Sequence, residues 1–436
     1  MAREMTFTAT GDSLVSRRMP EYRDAEYQQM LELIRSADVS FTNTEIVMSN
    51  FEGSPVVDSG GGNLSTEPRM AADIRKMGFN LTAFANNHTL NYGEHGCLET
   101  LRVLRENDFA VAGAGKHLAE ARRPAYLDTI SGRAGLMGCA STFGAGQYAG
   151  EQRPDVPGRP GVNPQRFDRL FVVDQEHYDA IKRIAERTGA EKWLQWRIGM
   201  GFGQPPKRDG ELVLADRSFI VGDEFDIRTE AHKGDMTGNT KSISDAAAVS
   251  HLTIASIHAH EPKNEMWEPA DFIIEFAHAC IDAGADIVIG HGPHKLRGLE
   301  IYKGKPIFYS LGNFIFQHET IQHMPADDYT SLNVDPSASA VDLFRQVNAN
   351  ETRSFAADDS YWETVLPMCR FVDGEIADIK LHPLSLGPGQ PLPDRGVPRL
   401  ASPSHGREIL ERMTELSKPF GTEITTKDSI GVVKLS

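Results

Sequence analysis

Five β-rich stretches of this chain each end in a side chain that can bind a metal ion or move a proton. Asp12 follows residues 6–10, Glu45 follows 39–42, and Asn87 with His88 follows 80–85. His258 follows 252–257, and His291 with His294 follows 286–289. Carboxylate and amide oxygens mixed with imidazole nitrogens form a donor set suited to Mn, Fe or Zn. In α/β proteins such sites assemble at the carboxyl ends of strands. Taken alone, Asp12 after Gly11 reads as a turn cap, and Asn86-Asn87 reads as a turn. Recurring at one strand end after another, the pattern reads as a site.

The elements that must carry these residues alternate along the chain. Apolar residues at helical spacing (Met30, Leu31 and Ile34; Leu98, Leu101 and Leu104) predict helices over 27–37 and 95–106, with others at 70–77, 270–283 and 404–417. Pro269 suits the start of the fourth of these in chain order. Ser131-Gly132, Lys303-Gly304 and Asp373-Gly374 each sit between β-rich runs and predict hairpins, hence mixed sheets. The expected organisation is a discontinuous core of 1–140 plus 246–385, an insertion at 141–245 and a C-terminal tail at 386–436 that carries a helix. The insertion is expected to be mostly helical, with one or two helices over 175–198 and one strand at 218–221. Trp193 and Trp196 are expected to pack within it. Phe143, Tyr148, Phe202 and Tyr329 are candidates to line a pocket, and 318–360 is expected to be a surface loop or lid. Gly60-Gly61-Gly62 lacks the lysine and the strand–loop–helix setting of a phosphate-binding loop and reads as a flexible loop.

A net charge of −16 argues against nucleic-acid and anionic-membrane partners. A small-molecule or peptide substrate is expected, and the oligomeric state is left open. The four cysteines are far apart, without a CxxC pair, so reduced, packed thiols are expected. No apolar run of about 18 residues occurs. A cytoplasmic, unanchored protein is the expectation.

The segments GDSL (11–14), NTE (43–45), ANNHTLNYGEHG (85–96), AGAG (112–115), GADIVIGHGPH (284–294) and KPIFYSLGNFIF (305–316) resemble the signature blocks of the CapA family. That family is associated with poly-γ-glutamate capsule synthesis and belongs to the calcineurin-like metallophosphatase superfamily. The matched blocks lie within 6–140 and 252–316. The resemblance implies a layered α/β/β/α sandwich of the metallophosphoesterase type. It implies Asp12, Glu45, Asn87, His258, His291 and His294 as metal ligands, with Asp12 and His294 on one ion and Asn87, His258 and His291 on the other. His88 would be the proton donor. Two departures stand out. Asp12-Ser13-Leu14 replaces Asp-x-His, and His258-Ala259-His260-Glu261 replaces His-Trp-Gly; His260 and Glu261 are therefore read as lying outside the ligand set. Asn313 is read as a turn residue near the site.

Three functions follow. The first is a hydrolase of a phosphoester or a γ-glutamyl or peptide amide, using one or two divalent ions, with His88 as general acid. The second is a metal-free epimerase, with Asp12 and His294 as catalytic groups on opposite faces of a peptide Cα. The third is a non-catalytic accessory role in exopolymer synthesis.

Overall fold

Threonines alternate with Met5, Phe7 and Ala9 along Glu4–Leu14, and this strand runs through the middle of a ten-stranded sheet. The computed structural model describes residues 3–19 and 22–435. On one side of Glu4–Leu14 lie Val39–Thr44, Leu81–Ala83 and Ala110–Ala112, all parallel. On the other side the antiparallel pair Glu363–Val372 and Glu375–Ser385 continues the sheet. A second, six-stranded sheet runs Leu299–Tyr302, Lys305–Phe308, Ile287–His291, Leu252–His258, Gly132–Ala140 and Ala125–Thr129.

The two sheets face each other across one core. Phe7, Phe41 and Leu81 come from the first sheet, and Leu136, Ile254 and Ile289 from the second. Each fully buried phenylalanine there contributes about 1.5–3 kcal/mol. Ala25–Ser36, Met70–Met77 and Gly93–Glu106 cover the outer face of the first sheet. Asp24 caps the first of these helices, its carboxylate accepting from the Tyr27 N–H. Lys233–Ala247 and Asp271–Asp282 cover the second sheet. The layer order is the expected α/β/β/α.

Several expectations need correction. Between 167 and 231, where one strand at 218–221 is expected, the chain builds a four-stranded sheet of Phe167–Val173, Leu212–Leu214, Arg217–Val221 and Asp226–Ala231 beside the helices. The helical stretch is two helices, Gln175–Thr188 and Ala190–Gly199, separated at Gly189 (φ +77°). Trp193 and Trp196 stack on each other but stay 60% and 50% exposed, so they form no packing core. The segment 318–360, expected as a surface loop or lid, forms the short helices Ala326–Ser331 and Ala340–Val347. The tail carries more than its helix, Pro403–Ser417. Ile424–Lys427 and Ile430–Val433 form a hairpin that pairs onto Glu375–Ser385 and extends the first sheet. The three expected hairpins form where their turns predict.

Among the described residues, no helix is long and apolar enough to cross a membrane. All four cysteines are buried and free, and burial pushes the Cys97 thiol up to about 12.

Candidate metal centre

Strand register brings the donor residues together. Leu252–His258 and Ile287–His291 run parallel with His258 opposite His291, so their Nδ1 atoms lie 3.0 Å apart. In the other sheet, Asp12 is opposite Asn43 on one side and Asn313 on the other, and the register slips beside Asp12 on both. Such a bulge re-aims a side chain. Gly11 makes the approach possible, because a Cβ there would meet the Gly312 carbonyl oxygen at 1.8 Å.

Asp12 is fully buried and both its oxygens are occupied. Oδ1 accepts from Asn43 Nδ2 (2.8 Å), and Oδ2 accepts from the Gly292 N–H (2.9 Å). His258 Nδ1 and His291 Nδ1 stand 3.6 and 3.5 Å from Oδ1. Edges of 3.0, 3.5 and 3.6 Å are what three ligands about 2.0–2.2 Å from a shared ion subtend. Asp12, His258 and His291 thus form one group able to hold a metal ion, and Glu45, His260 and His294 form another.

This grouping differs from the one the resemblance implies, which joined Asp12 to His294 and set His258 and His291 on the other ion. His294 Nδ1 donates to Asn313 Oδ1 (2.9 Å) instead. Asn313 Nδ2 is committed to the Tyr361 carbonyl, so its Oδ1 must be the acceptor. That leaves the His294 Nε2 lone pair toward Glu45 Oε1, 3.8 Å away. His294 holds φ +61°, a left-handed conformation costing a bulky residue about 1–3 kcal/mol and typical of functional sites.

Glu45 is the exception in this network. It is fully buried, and neither carboxylate oxygen has a hydrogen-bond partner. Burial, with the Asp12 charge adding to it, pushes its carboxyl well above the usual range. Burial also holds the imidazoles of His258 and His260 well below theirs and takes His291 down to about 3. These rings are therefore neutral, as metal ligands must be.

Asn87 Nδ2 donates to the Gly60 carbonyl, which leaves its Oδ1 facing His258 Nε2 at 2.8 Å. His88 Nδ1 donates to Asn91 Oδ1 (2.7 Å), an atom that also accepts from the Leu64 N–H and so cannot itself donate. The other nitrogen of His88, Nε2, accepts from Asn87 Nδ2 (3.1 Å), and burial lowers this imidazole to about 4.

Reading by blocks missed three contributors. His260, expected outside the ligand set, lies with its Nε2 2.9 Å from that of His258. Ser256 pairs with His291 Nε2 at 2.8 Å. Positions 256, 258 and 260 share a face by the period of two of extended chain, and that signal was available in the sequence. Asn43, between Asp12 and His258, is the third. Glu261, in contrast, turns away to accept from Ser141 and Thr142. Asp12 Oδ2 and His294 Nδ1 are 3.6 Å apart, and both Asp12 oxygens already accept hydrogen bonds.

A cavity of about 530 Å³ opens beside His88, His260 and His294. Gly60, Gly61 and Gly62 form part of its edge. Its aromatic walls are Phe316, Phe344, Phe355 and Tyr361, and no residue of 141–245 lines it. Of the aromatics expected there, Phe143 and Tyr148 pack against the core of the first sheet, and Tyr329 is buried with Val334 and Leu343.

The family described as bacterial capsule synthesis protein PGA_cap matches residues 6–318. The uncharacterized protein y4sH of Sinorhizobium fredii is 36% identical over 445 residues, covering 99% of this chain and 93% of its own. The capsule biosynthesis protein CapA of Bacillus anthracis is 23% identical over 321 residues, covering 72% and 60%. A "probable polyglutamine synthesis accessory protein" of Mycobacterium tuberculosis is 27% identical over 240 residues, covering 55% and 46%.

Proposed function

The chain belongs to the bacterial capsule synthesis family PGA_cap, and from that membership and its two donor groups we propose a metal-dependent hydrolase acting on a phosphoester or on a γ-glutamyl or peptide amide. Glu45 carries this reading. A carboxylate buried without a single hydrogen bond costs several kcal/mol as an anion unless a cation answers it. Asp12, His258 and His291 would hold one divalent ion. Glu45, His260 and His294 would hold a second, with Asn87 Oδ1 facing His258 beside them. Bound there, Mn, Fe or Zn supplies Lewis acidity and a water activated for attack at neutral pH.

The chain's own residues do the rest. Asn313 and Ser256 orient the imidazoles of His294 and His291. His88 rests neutral with Nε2 unprotonated and accepting from Asn87 Nδ2; giving up that hydrogen bond, it takes up a proton as attack proceeds and then returns it to the leaving group. The cavity beside His88, His260 and His294 offers the substrate a largely apolar surface next to the reacting atoms.

Protein purified without chelator or histidine tag is expected to carry at least one transition-metal ion per chain by elemental analysis. Chelation is expected to lower its Tm and abolish hydrolysis of an activated phosphodiester. Metal-free protein whose Tm ignores added Mn or Zn would sink this reading. The names of the Bacillus and Mycobacterium relatives support a second reading, a non-catalytic part in exopolymer synthesis. Under that reading, Asp12→Asn and His88→Ala leave biological activity whole.

A further inference from the structure

The cavity beside the metal centre has a chemical character of its own. Phe316, Phe344, Phe355 and Tyr361 supply its walls, and among the described residues no lysine or arginine lines it. Lys295 and Arg395, on neighbouring segments, are each paired with a carboxylate, Asp358 at 2.6 Å and Glu319 at 3.2 Å. The one formal charge among the lining residues outside the histidines is the carboxylate of Asp328.

Two buried polar side chains on the same lining have unmet hydrogen-bonding capacity. Neither ring nitrogen of His318 has a partner. Asn348 commits its Nδ2 to Glu319 Oε1 (2.7 Å), which identifies the other atom as oxygen, and that Oδ1 is unpartnered. An unmet acceptor in a buried apolar setting calls for a donor from whatever fills the space. A carboxylate-bearing group would instead place its charge near Asp328 and the Asn348 oxygen, with no lysine or arginine on that wall to offset the loss of water.

We infer that the part of the substrate seated in this cavity is an uncharged, apolar group tipped by an O–H or N–H donor, and that Phe355 and Asn348 select it. The anionic side groups of a polyglutamate chain do not match this wall. The inference rests on the metal-hydrolase reading for the reacting end of the substrate and on the cavity for the rest.

Three hydroxamates with a common two-carbon arm test it on the full-length protein loaded with Mn. They end in phenyl, in para-hydroxyphenyl or in carboxylate, and the hydroxamate end chelates the metal. The phenyl probe is expected to bind roughly tenfold or more tighter than the carboxylate probe, and the para-hydroxyphenyl probe tighter still. Phe355→Ala, with Phe355→Leu as a milder companion checked by thermal melting, removes the first preference. Asn348→Leu removes the second. A carboxylate probe that binds equally or better overturns the inference. So does a lack of binding by any probe to protein whose metal content is intact, a result that leaves the metal reading standing. Protein without metal fails that earlier reading instead; p-cresol against acetate then judges the cavity, and a preference for acetate overturns the inference.

Discussion

Asp12 and Glu45 are both fully buried at one centre, yet the protein treats them oppositely. Asp12 is held by an amide from Asn43 and a backbone N–H from Gly292, so its position is set by the fold. Glu45 has neither oxygen satisfied and is the side left open for a ligand. The contrast teaches that one carboxylate serves structure and site together, whereas the other serves the site alone at the expense of the metal-free fold.

Exchanging each carboxylate for its amide would break this contrast most sharply. Asp12→Asn turns an accepting oxygen into a donor facing Asn43 or Gly292. It should destabilise metal-free protein by about 3 kcal/mol and weaken metal binding together, by denaturant melts and elemental analysis. Glu45→Gln should lose metal while the metal-free protein melts no lower than the parent. Equal destabilisation by both would end the distinction. A subtler probe is Asn313→Leu, which frees His294 to choose the wrong tautomer or orientation. Metal affinity should fall about 10- to 100-fold by competition titration, with the helices unchanged by circular dichroism.

Acid sharpens the contrast with the smallest step per group. A buried histidine held neutral binds no proton in the fold but binds one when unfolded, so acid favours unfolding. For His88 and His291 the loss begins near the unfolded value of about 6.5 and continues down to about 4 and about 3. Each contributes at most about 1.4 kcal/mol per pH unit. Glu45 acts in the reverse sense. Its raised carboxyl favours the fold while protonated, and that contribution is lost as pH rises through its raised value. Melting curves of metal-free protein should therefore show the acid limb in both parent and Glu45→Gln, and the Glu45 limb only in the parent.

The readable parts of the fold were the local ones. Helical spacing located Ala25–Ser36 and Asp271–Asp282, and Gly-containing turns located three hairpins. The C-terminal hairpin carries no local signal, because its turn is Asp428-Ser429, both at positive φ, and that pair lacks the Asn-Gly or Asp-Gly signal of such a turn. The sheet of the 167–231 region is not legible locally, because Phe167–Val173 pairs in parallel with Arg217–Val221 across two intervening helices. The period of two puts His260 on the face of Ser256 and His258, whereas the block resemblance gives that position no ligand role.

Local sequence sets which donor types sit at strand ends, because strand period and turn chemistry depend on neighbours in the chain. Tertiary structure alone decided how those donors group. The pairing of His258 with His291, the seat of Asp12 between two asparagines, the isolation of Glu45 and the cation-free wall of the cavity all arise from segments far apart in sequence. Register between distant strands and the burial it imposes are collective properties, set when the two sheets close on each other.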